Sequence, residues 1–177
     1  MLVLVYGGSG SGKSEIAEDY CLNLRKDSSH KMIYLATMEP FGKEAEERIK
    51  RHRDLRKNKG FVTIEKTCDI NEIEVKKDDI ILLECMSNLV ANEFFTKNLN
   101  NEEVVKKISL DIKNLSDRVE NLIIVSNDIF SSGEEYGKET YEYMKALGEI
   151  NKDIAKKADV VFEAVVGIPV IKKVLDK

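Results

Sequence analysis

Apolar runs alternate with amphipathic segments along the chain. Continuous apolar runs predict buried strands, while apolar positions three and four residues apart predict helices. Strands are predicted at residues 2–6, 32–36, 61–65, 80–83 and 122–125, with edge strands at 160–164 and 169–171. Helices are predicted directly after residue 14 and at 44–57, 102–119 and 139–157. This alternation predicts an α/β fold in which helices flank a mostly parallel sheet, and we expect a single domain over residues 1–177.

A glycine-rich loop follows the first strand directly. It matches G-x-x-x-x-G-K-[ST] and comprises Gly7, Gly8, Ser9, Gly10, Ser11, Gly12, Lys13 and Ser14. Glycines let backbone N–H groups turn around a phosphate, and the helix that begins there directs its positive end at the same anion. In this motif the lysine reaches the β- and γ-phosphates, and the last hydroxyl binds Mg²⁺. The order of strand, loop and helix favours a phosphate loop over a chance match, which predicts a bound nucleoside triphosphate but no particular reaction.

Composition narrows the classes of function. The 177 residues suffice for one core, and 42% hydrophobic with 34% charged residues is ordinary for a globular protein. The net charge of −4 argues against a general binder of nucleic acids or membrane surfaces. Cys21, Cys68 and Cys85 lack the spacing of metal ligands, so we expect buried thiols. Since no apolar segment resembles a signal peptide or approaches the roughly 18 residues of a membrane span, we expect a cytoplasmic protein without membrane insertion.

An acidic residue, Glu84, follows the buried strand at 80–83. Proteins with a phosphate loop place an acidic group at the end of such a strand, where it orients Mg²⁺ or its water ligands. Asp is the usual residue there, and the alternative for Glu84 is a carboxylate that caps the next turn. We favour the metal-related role because a phosphate loop precedes it in the chain.

One histidine lies on a predicted helix among cations. The inward stripe of that helix consists of Ala45, Ile49, His52 and Arg56. Arg48 and Arg56 lie one turn to either side of His52, and such cations should lower the pKa of the imidazole and keep it neutral. A neutral imidazole is a nucleophile, and arginines bind phosphates. The alternative, which the pattern alone favours, is a helix histidine beside a solvated basic face; the other histidine, His30, is predicted in a surface loop.

Several motifs together resemble one family. In chain order they are Gly7-Gly8-x-x-Ser11-Gly12-Lys13-Ser14, Tyr34-Leu35-Ala36-Thr37, Glu44-x-x-x-Arg48-Ile49-x-x-His52-x-x-x-Arg56, Thr63-x-Glu65 and Leu82-Leu83-Glu84-Cys85. Further matches are Ser126-Asn127, Gly148-x-x-Asn151, Ala158-Asp159 and Gly167-Ile168-Pro169. With these motifs the chain resembles the bifunctional adenosylcobinamide kinase / adenosylcobinamide-phosphate guanylyltransferase family of cobalamin biosynthesis.

The resemblance implies two activities. The first phosphorylates a hydroxyl of adenosylcobinamide with ATP or GTP, and the second transfers GMP from GTP to that phosphate through a guanylylated histidine. It implies that His52 is the covalent residue. Attack by the imidazole on the α-phosphorus requires that the pyrophosphate charge be neutralised, which Lys13, Mg²⁺ and the nearby arginines can do. From the loop motif and the strand-end position, we expect Ser14 and Glu84 to hold Mg²⁺, directly or through water. The implied nucleotide contacts are the whole phosphate loop together with Leu35, Ala36, Thr37, Arg53, Asp54, Leu55, Arg56, Glu65 and Glu84. The implied fold is a phosphate-loop sheet related to recombinase-type ATPases, assembled as a homotrimer.

The chain departs from this family after the fifth strand. Where members carry Asn-Glu-Val-Gly, it reads Asn127-Asp128-Ile129-Phe130, and the next helix, over 140–145, lacks the family's Arg and Arg-Asp residues. Residues 130–137 are predicted to form a mobile loop. Two alternatives therefore remain: a phosphate-loop kinase for another small molecule, and a nucleotide-binding module without transfer activity. GTP turnover that depends on a corrinoid distinguishes them from the cobinamide enzyme.

Overall fold

The computed structural model describes residues 1–26, 30–130 and 136–175, and for residues 44, 45 and 48 it describes the backbone alone. The strands over these residues are β1 (Leu2–Gly7), β2 (Met32–Ala36), β3 (Phe61–Glu65), β4 (Ile80–Glu84), β5 (Asn121–Asn127), β6 (Val160–Val165) and β7 (Ile168–Val174). The helices are α1 (Lys13–Leu24), α2 (Lys43–Arg56), α3 (Met86–Ala91), α4 (Asn101–Arg118) and α5 (Lys138–Lys157). A 3₁₀ turn lies at Ile70–Glu72, and a π-helical turn at Asn92–Thr96 continues α3.

The strands form one sheet in the order β3-β2-β4-β5-β1-β6-β7. All neighbouring strands are parallel except β6 and β7, which are antiparallel. The central strands are apolar without alternation because helices cover both faces of the sheet. The predicted α/β fold with a mostly parallel sheet flanked by helices is confirmed.

Alternate residues of the central strands supply two separate cores. Leu2 and Leu4 of β1 pack with residues of α3, α4 and α5 on one face. Val3 and Val5 pack with Ala17 of α1 on the other face. Since successive side chains of a strand point to opposite faces, both sides of the sheet are held in place. The carboxyl ends of the parallel strands therefore meet at one well-supported edge, where ligands of such sheets bind.

The prediction that residues 160–164 form an edge strand was wrong. The strand β6 lies between β1 and β7, pairing Leu4 with Val161 on one side and Glu163 with Val170 on the other. The backbone of β1 can form hydrogen bonds along both of its sides, and β5 pairs with only one side. Because β6 pairs with the other side, β7 is the terminal strand of the sheet.

The segment between β4 and α4 contains two helical turns that the periodicity did not predict. Met86, Leu89 and Val90 of α3 are fully buried in the core, and the π-helical turn at Asn92–Thr96 follows without a break. α3 has only six residues, fewer than two helical turns, which is too few for the apolar repeat of a helix to be recognised. Most of the predicted mobile loop, residues 131–135, lies outside the described residues.

The turn between β6 and β7 contacts the phosphate loop. The Gly167 N–H donates to the Ser11 carbonyl over 2.8 Å. Gly12 has a φ of +87°, and a Cβ on it would lie 2.9 Å from Gly167 Cα. Glycine is therefore required at residue 12 both by its left-handed backbone and by this close approach. The C-terminal hairpin thus supports the loop from the side.

The described residues agree with the expectation of buried thiols. The three cysteines are buried and free. No helix in the described part of the chain is long and apolar enough to cross a membrane.

The core of α4 provides a test of the fold. Ile108 is fully buried and Leu110, on the same helix, is 52% exposed. We expect Ile108→Ala to lower the free energy of unfolding by about 2–5 kcal/mol, because the truncation leaves a cavity among α4, α5 and the sheet. Leu110→Ala should change it by no more than about 0.5 kcal/mol. Urea unfolding of both variants measures this, and equal effects would contradict the orientation of α4.

Candidate active site

A cavity of about 660 Å³ opens at the carboxyl ends of β2, β3, β4 and β5. Residues 9–14 of the phosphate loop form one wall, and the C-terminal half of α2 forms the opposite wall. Of the other residues predicted to bind nucleotide, the cavity is lined by Ala36, Arg53, Leu55, Arg56, Glu65 and Glu84, together with His52. Among the described residues its lining does not include Gly7, Gly8, Leu35, Thr37 or Asp54. The predicted site residues therefore converge on one space, with these exceptions.

The phosphate loop has the closely packed backbone that its sequence predicts. A Cβ on Gly7 would lie 2.7 Å from Ser11 Oγ and 2.8 Å from the Ala164 carbonyl, so only glycine fits there. Lys13 is buried and its Nζ donates to the Gly8 carbonyl over 2.9 Å. The Lys13 ammonium group thereby folds back over the loop, where the motif uses it to contact phosphate oxygens.

Glu84 accepts hydrogen bonds from two different elements. The Ser14 hydroxyl, at the start of α1, donates to Glu84 Oε1 over 2.5 Å, and the Tyr34 hydroxyl of β2 donates to Oε2 over 2.9 Å. His52 Nδ1 of α2 lies 3.8 Å from Oε1. The carboxylate thus joins the phosphate loop, the sheet and the helix that bears the histidine.

The Ser14 and Glu84 oxygens fit a magnesium ion. Mg²⁺ binds hard oxygen ligands, takes one or two from the protein, and completes its octahedron with phosphate oxygens and water. The described residues contain no cluster of three or more His, Cys, Asp or Glu side chains that could bind a metal on its own. A metal at this point would therefore depend on the nucleotide for the rest of its ligands.

Arg56 is a buried cation packed on an aromatic ring. It is 6% exposed, and its Cζ lies 3.2 Å from the centroid of the Tyr34 ring. Its Nε and Nη1 atoms have no hydrogen-bond partner among the described residues. Buried N–H groups in folded proteins are normally satisfied, so two such donors on a cavity wall indicate a site for an anionic ligand.

The Tyr34 hydroxyl acts as a hydrogen-bond donor. Burial, followed by the negative charge of Glu84, raises the pKa of Tyr34 above its ordinary value. The phenol therefore stays protonated and can donate to the carboxylate.

The environment of His52 differs from the sequence expectation. His52 and Ile49 are half-buried and Arg56 is buried, as the stripe predicts, while the Ala45 and Arg48 side chains lie outside the described residues. From the sequence only cations are expected around His52, but the structure adds the Glu84 carboxylate. The contact was not predictable because Glu84 reaches His52 across the cavity from another element.

The remaining predicted residues fall into exposed and buried groups. Arg53 and Glu65 form an exposed ion pair between α2 and β3, while Asp54 and Leu55 are exposed on α2. Leu35 packs wholly in the core. The buried Thr37 hydroxyl donates to the Cys85 carbonyl and accepts from the Cys85 N–H. Any nucleotide contact from Leu35 must come from its backbone.

The cavity lining also includes residues that were not predicted as site residues, among them Tyr34, Asn88 and Asn127. Tyr34 lies in an apolar run that predicts a core strand. The one feature that could have indicated a role in the site is its hydroxyl group near the carboxyl end of that strand. Asn127 ends β5, and its amide donates to the Ser87 hydroxyl over 2.7 Å. It matched a family motif but carried no local indication of a role.

Known protein families include one that matches nearly the whole chain. Residues 3–171 match the family model described as cobinamide kinase / cobinamide phosphate guanyltransferase. The chain is 26% identical to the bifunctional adenosylcobalamin biosynthesis protein CobU of Escherichia coli K12, over 96% of this chain and 98% of that protein. The protein of the same name from Salmonella typhimurium LT2 is equally similar, with the same identity and coverage.

Solved structures share the fold at low sequence identity. The ATPase domain of G40P superposes with a TM-score of 0.53 at 15% identity, covering 92% of this chain and 68% of that one. A Pyrococcus horikoshii OT3 protein, PH0250, superposes with a TM-score of 0.50 at 13% identity, covering 99% of this chain and 87% of that one. At these identities the likeness shows the fold alone.

Replacing the buried Arg56 should affect the free energy of unfolding and the affinity for a nucleotide in different ways. Arg56→Met keeps the contact with the Tyr34 ring and removes two unpaired buried donors, whose burial costs about 1–3 kcal/mol. We expect the free energy of unfolding to stay the same or rise. α,β-Methylene-GTP is a GTP analogue whose α–β bridge cannot be cleaved. The increase in the free energy of unfolding that this analogue brings should be smaller in Arg56→Met than in the wild type, by about 1.4 kcal/mol for each tenfold loss of affinity.

Urea unfolding with and without the analogue measures both effects. Lys50→Met, at an exposed residue of the same helix that does not line the cavity, is the matched control for loss of a positive charge and should change neither value. A drop in ligand-free stability of more than about 1 kcal/mol in Arg56→Met would contradict an unsatisfied arginine.

Proposed function

Since the chain belongs to the cobinamide kinase / cobinamide phosphate guanyltransferase family and is therefore a transferase, we propose that it phosphorylates adenosylcobinamide and then converts the phosphate to adenosylcobinamide-GDP. The observation that supports both steps most directly is the convergence of three groups in one cavity. These are the phosphate loop, the Glu84 carboxylate and the His52 imidazole.

In the kinase step, the cobinamide hydroxyl oxygen attacks the γ-phosphorus of ATP or GTP. The bond to the β,γ-bridging oxygen breaks, the nucleoside diphosphate leaves, and the hydroxyl proton is released to solvent. Lys13 neutralises the charge on the transferred group, and Ser14 with Glu84 orients the phosphates. A Mg²⁺ ion held by these two side chains would supply further charge neutralisation.

In the second step, an imidazole nitrogen of His52 attacks the α-phosphorus of GTP and pyrophosphate leaves. We assign the attack to Nε2, because Nδ1 faces Glu84. The cobinamide phosphate then attacks the same phosphorus, the N–P bond breaks, and the histidine is regenerated. Two displacements in sequence are ordinary covalent catalysis, and Arg56 with Lys13 supplies the positive charge that the leaving groups require.

One observation favours a second candidate. The segment after β5 departs from the family from Asp128 onwards, and it directly follows Asn127, which lines the cavity. A kinase for a different small alcohol would use the same phosphate loop and would form no covalent GMP.

We also propose the homotrimer that the resemblance implies and the cytoplasmic location that the sequence predicts. Support for self-association comes from the edge strand β7, where Ile168, Val170 and Ile171 expose apolar side chains. Sedimentation equilibrium should give three times the mass of one chain, and a monomeric mass would contradict the assembly.

Labelling with [α-³²P]GTP tests the covalent intermediate. The wild-type protein should retain label that is stable in alkali and lost in acid, as expected of a phosphoramidate. His52→Ala should retain none, and His30→Ala, the variant of the other histidine, should label like the wild type. Label that persists in His52→Ala would contradict the assignment.

Transfer from the labelled protein tests the acceptor. Adding cobinamide phosphate should move the label to cobinamide-GDP. Failure to label, together with γ-phosphoryl transfer to a non-corrinoid alcohol, would support the second candidate instead.

A further inference from the structure

Tyr34 touches two groups of the cavity with different parts of one side chain. It is 3% exposed, lies on β2 beneath the cavity, and has no assigned role in the reaction. Its hydroxyl donates to Glu84 Oε2 over 2.9 Å. The face of its ring carries Arg56, whose Cζ lies 3.2 Å from the centroid.

The hydroxyl determines how the Glu84 carboxylate is rotated. Oε1 accepts from Ser14 and faces His52, while Oε2 accepts from Tyr34. With both oxygens bound by separate donors, the carboxylate plane has one favoured orientation. Groups that orient a metal-binding carboxylate in this way typically affect metal affinity 10- to 100-fold.

The ring determines where the guanidinium of Arg56 lies. Tyr34 is held in the sheet between Thr63 of β3 and Leu82 of β4, and Phe61 packs edge-on against its ring at 6.2 Å. The ring is therefore fixed to the sheet, whereas Arg56 comes from the last turn of α2. Stacking on this ring holds the arginine in place while Nε and Nη1 remain without hydrogen-bond partners among the described residues.

We propose that Tyr34 is a positioning residue for nucleotide binding, which sets Glu84 toward the Mg²⁺–phosphate group through its hydroxyl and Arg56 toward a phosphate oxygen through its ring. The proposal rests on the proposed function only in so far as a nucleotide binds in this cavity. The two parts of the side chain make separate contributions. The hydroxyl governs the increase in nucleotide affinity that Mg²⁺ brings, and the ring governs the nucleotide affinity measured without Mg²⁺.

Binding of α,β-methylene-GTP with and without Mg²⁺ tests this, by calorimetry on the full chain. Tyr34→Phe should reduce the gain in affinity that Mg²⁺ brings by about tenfold, with metal-free affinity within about twofold of wild type. Tyr34→Leu should also lower metal-free affinity about tenfold, because Arg56 loses its support. Tyr20→Phe, a hydroxyl deletion on α1 against Phe162, is the matched control and should change neither value.

A double-mutant cycle with Arg56→Met tests the ring contribution. The effects of Tyr34→Leu and Arg56→Met on metal-free affinity should be strongly non-additive, whereas those of Tyr34→Phe and Arg56→Met should add. Tyr34→Met replaces Tyr34→Leu if the latter does not fold. Additive effects in the first pair would overturn the ring contribution.

A merely structural role gives a different result. It would reduce the affinities with and without Mg²⁺ alike in Tyr34→Phe, and an unchanged Mg²⁺ dependence in this variant would overturn the hydroxyl contribution. The analogue needs no cobinamide and cannot guanylylate His52, so binding is measured apart from the reaction. Wild-type protein that binds the analogue but forms no label refutes the guanylyl transfer alone, while failure to bind it refutes the Tyr34 proposal as well.

Discussion

The arrangement of the site depends on the carboxylate of Glu84 at the end of β4. A nearly buried carboxylate is costly unless its oxygens are hydrogen-bonded, and here the donors come from the phosphate loop and from β2. His52 of α2 adds a third neighbour. Hydrogen bonding and charge contacts to this one carboxylate therefore bring together the phosphate loop, β2, β4 and α2, and the cavity is the space that they enclose.

A second constraint is the burial of one positive charge on each wall of the cavity. Lys13 and Arg56 are both buried although each carries a charge. Lys13 is bonded to the loop carbonyl, and Arg56 is packed on an aromatic ring with two donors unpaired among the described residues. Such preorganised cations avoid the reorganisation that water would require when phosphate charge develops, at the expense of some stability of the free protein.

Much of the fold was predictable because its signals are local. Continuous apolar runs marked the strands β1, β2, β4 and β5, and the order of strand, loop and helix marked the phosphate loop. The placement of β6 inside the sheet was not predictable, since an apolar run does not reveal which neighbours it pairs with. The short helix α3 was missed because its six residues form fewer than two helical turns. In the site, Glu84 was found from its position after a buried strand, but Tyr34 was hidden in an apolar run.

The sequence by itself determined the α/β class, the phosphate loop and the identity of the chemical groups, because glycine spacing and hydrophobic periodicity act over a few residues. Only the tertiary structure decided which groups meet. Ser14 and Tyr34 reach Glu84 across 70 and 50 residues of chain, and Arg56 reaches Tyr34 from a different element. These contacts follow from the pairing order of a parallel sheet, which joins the carboxyl ends of distant strands and leaves no local trace in the sequence.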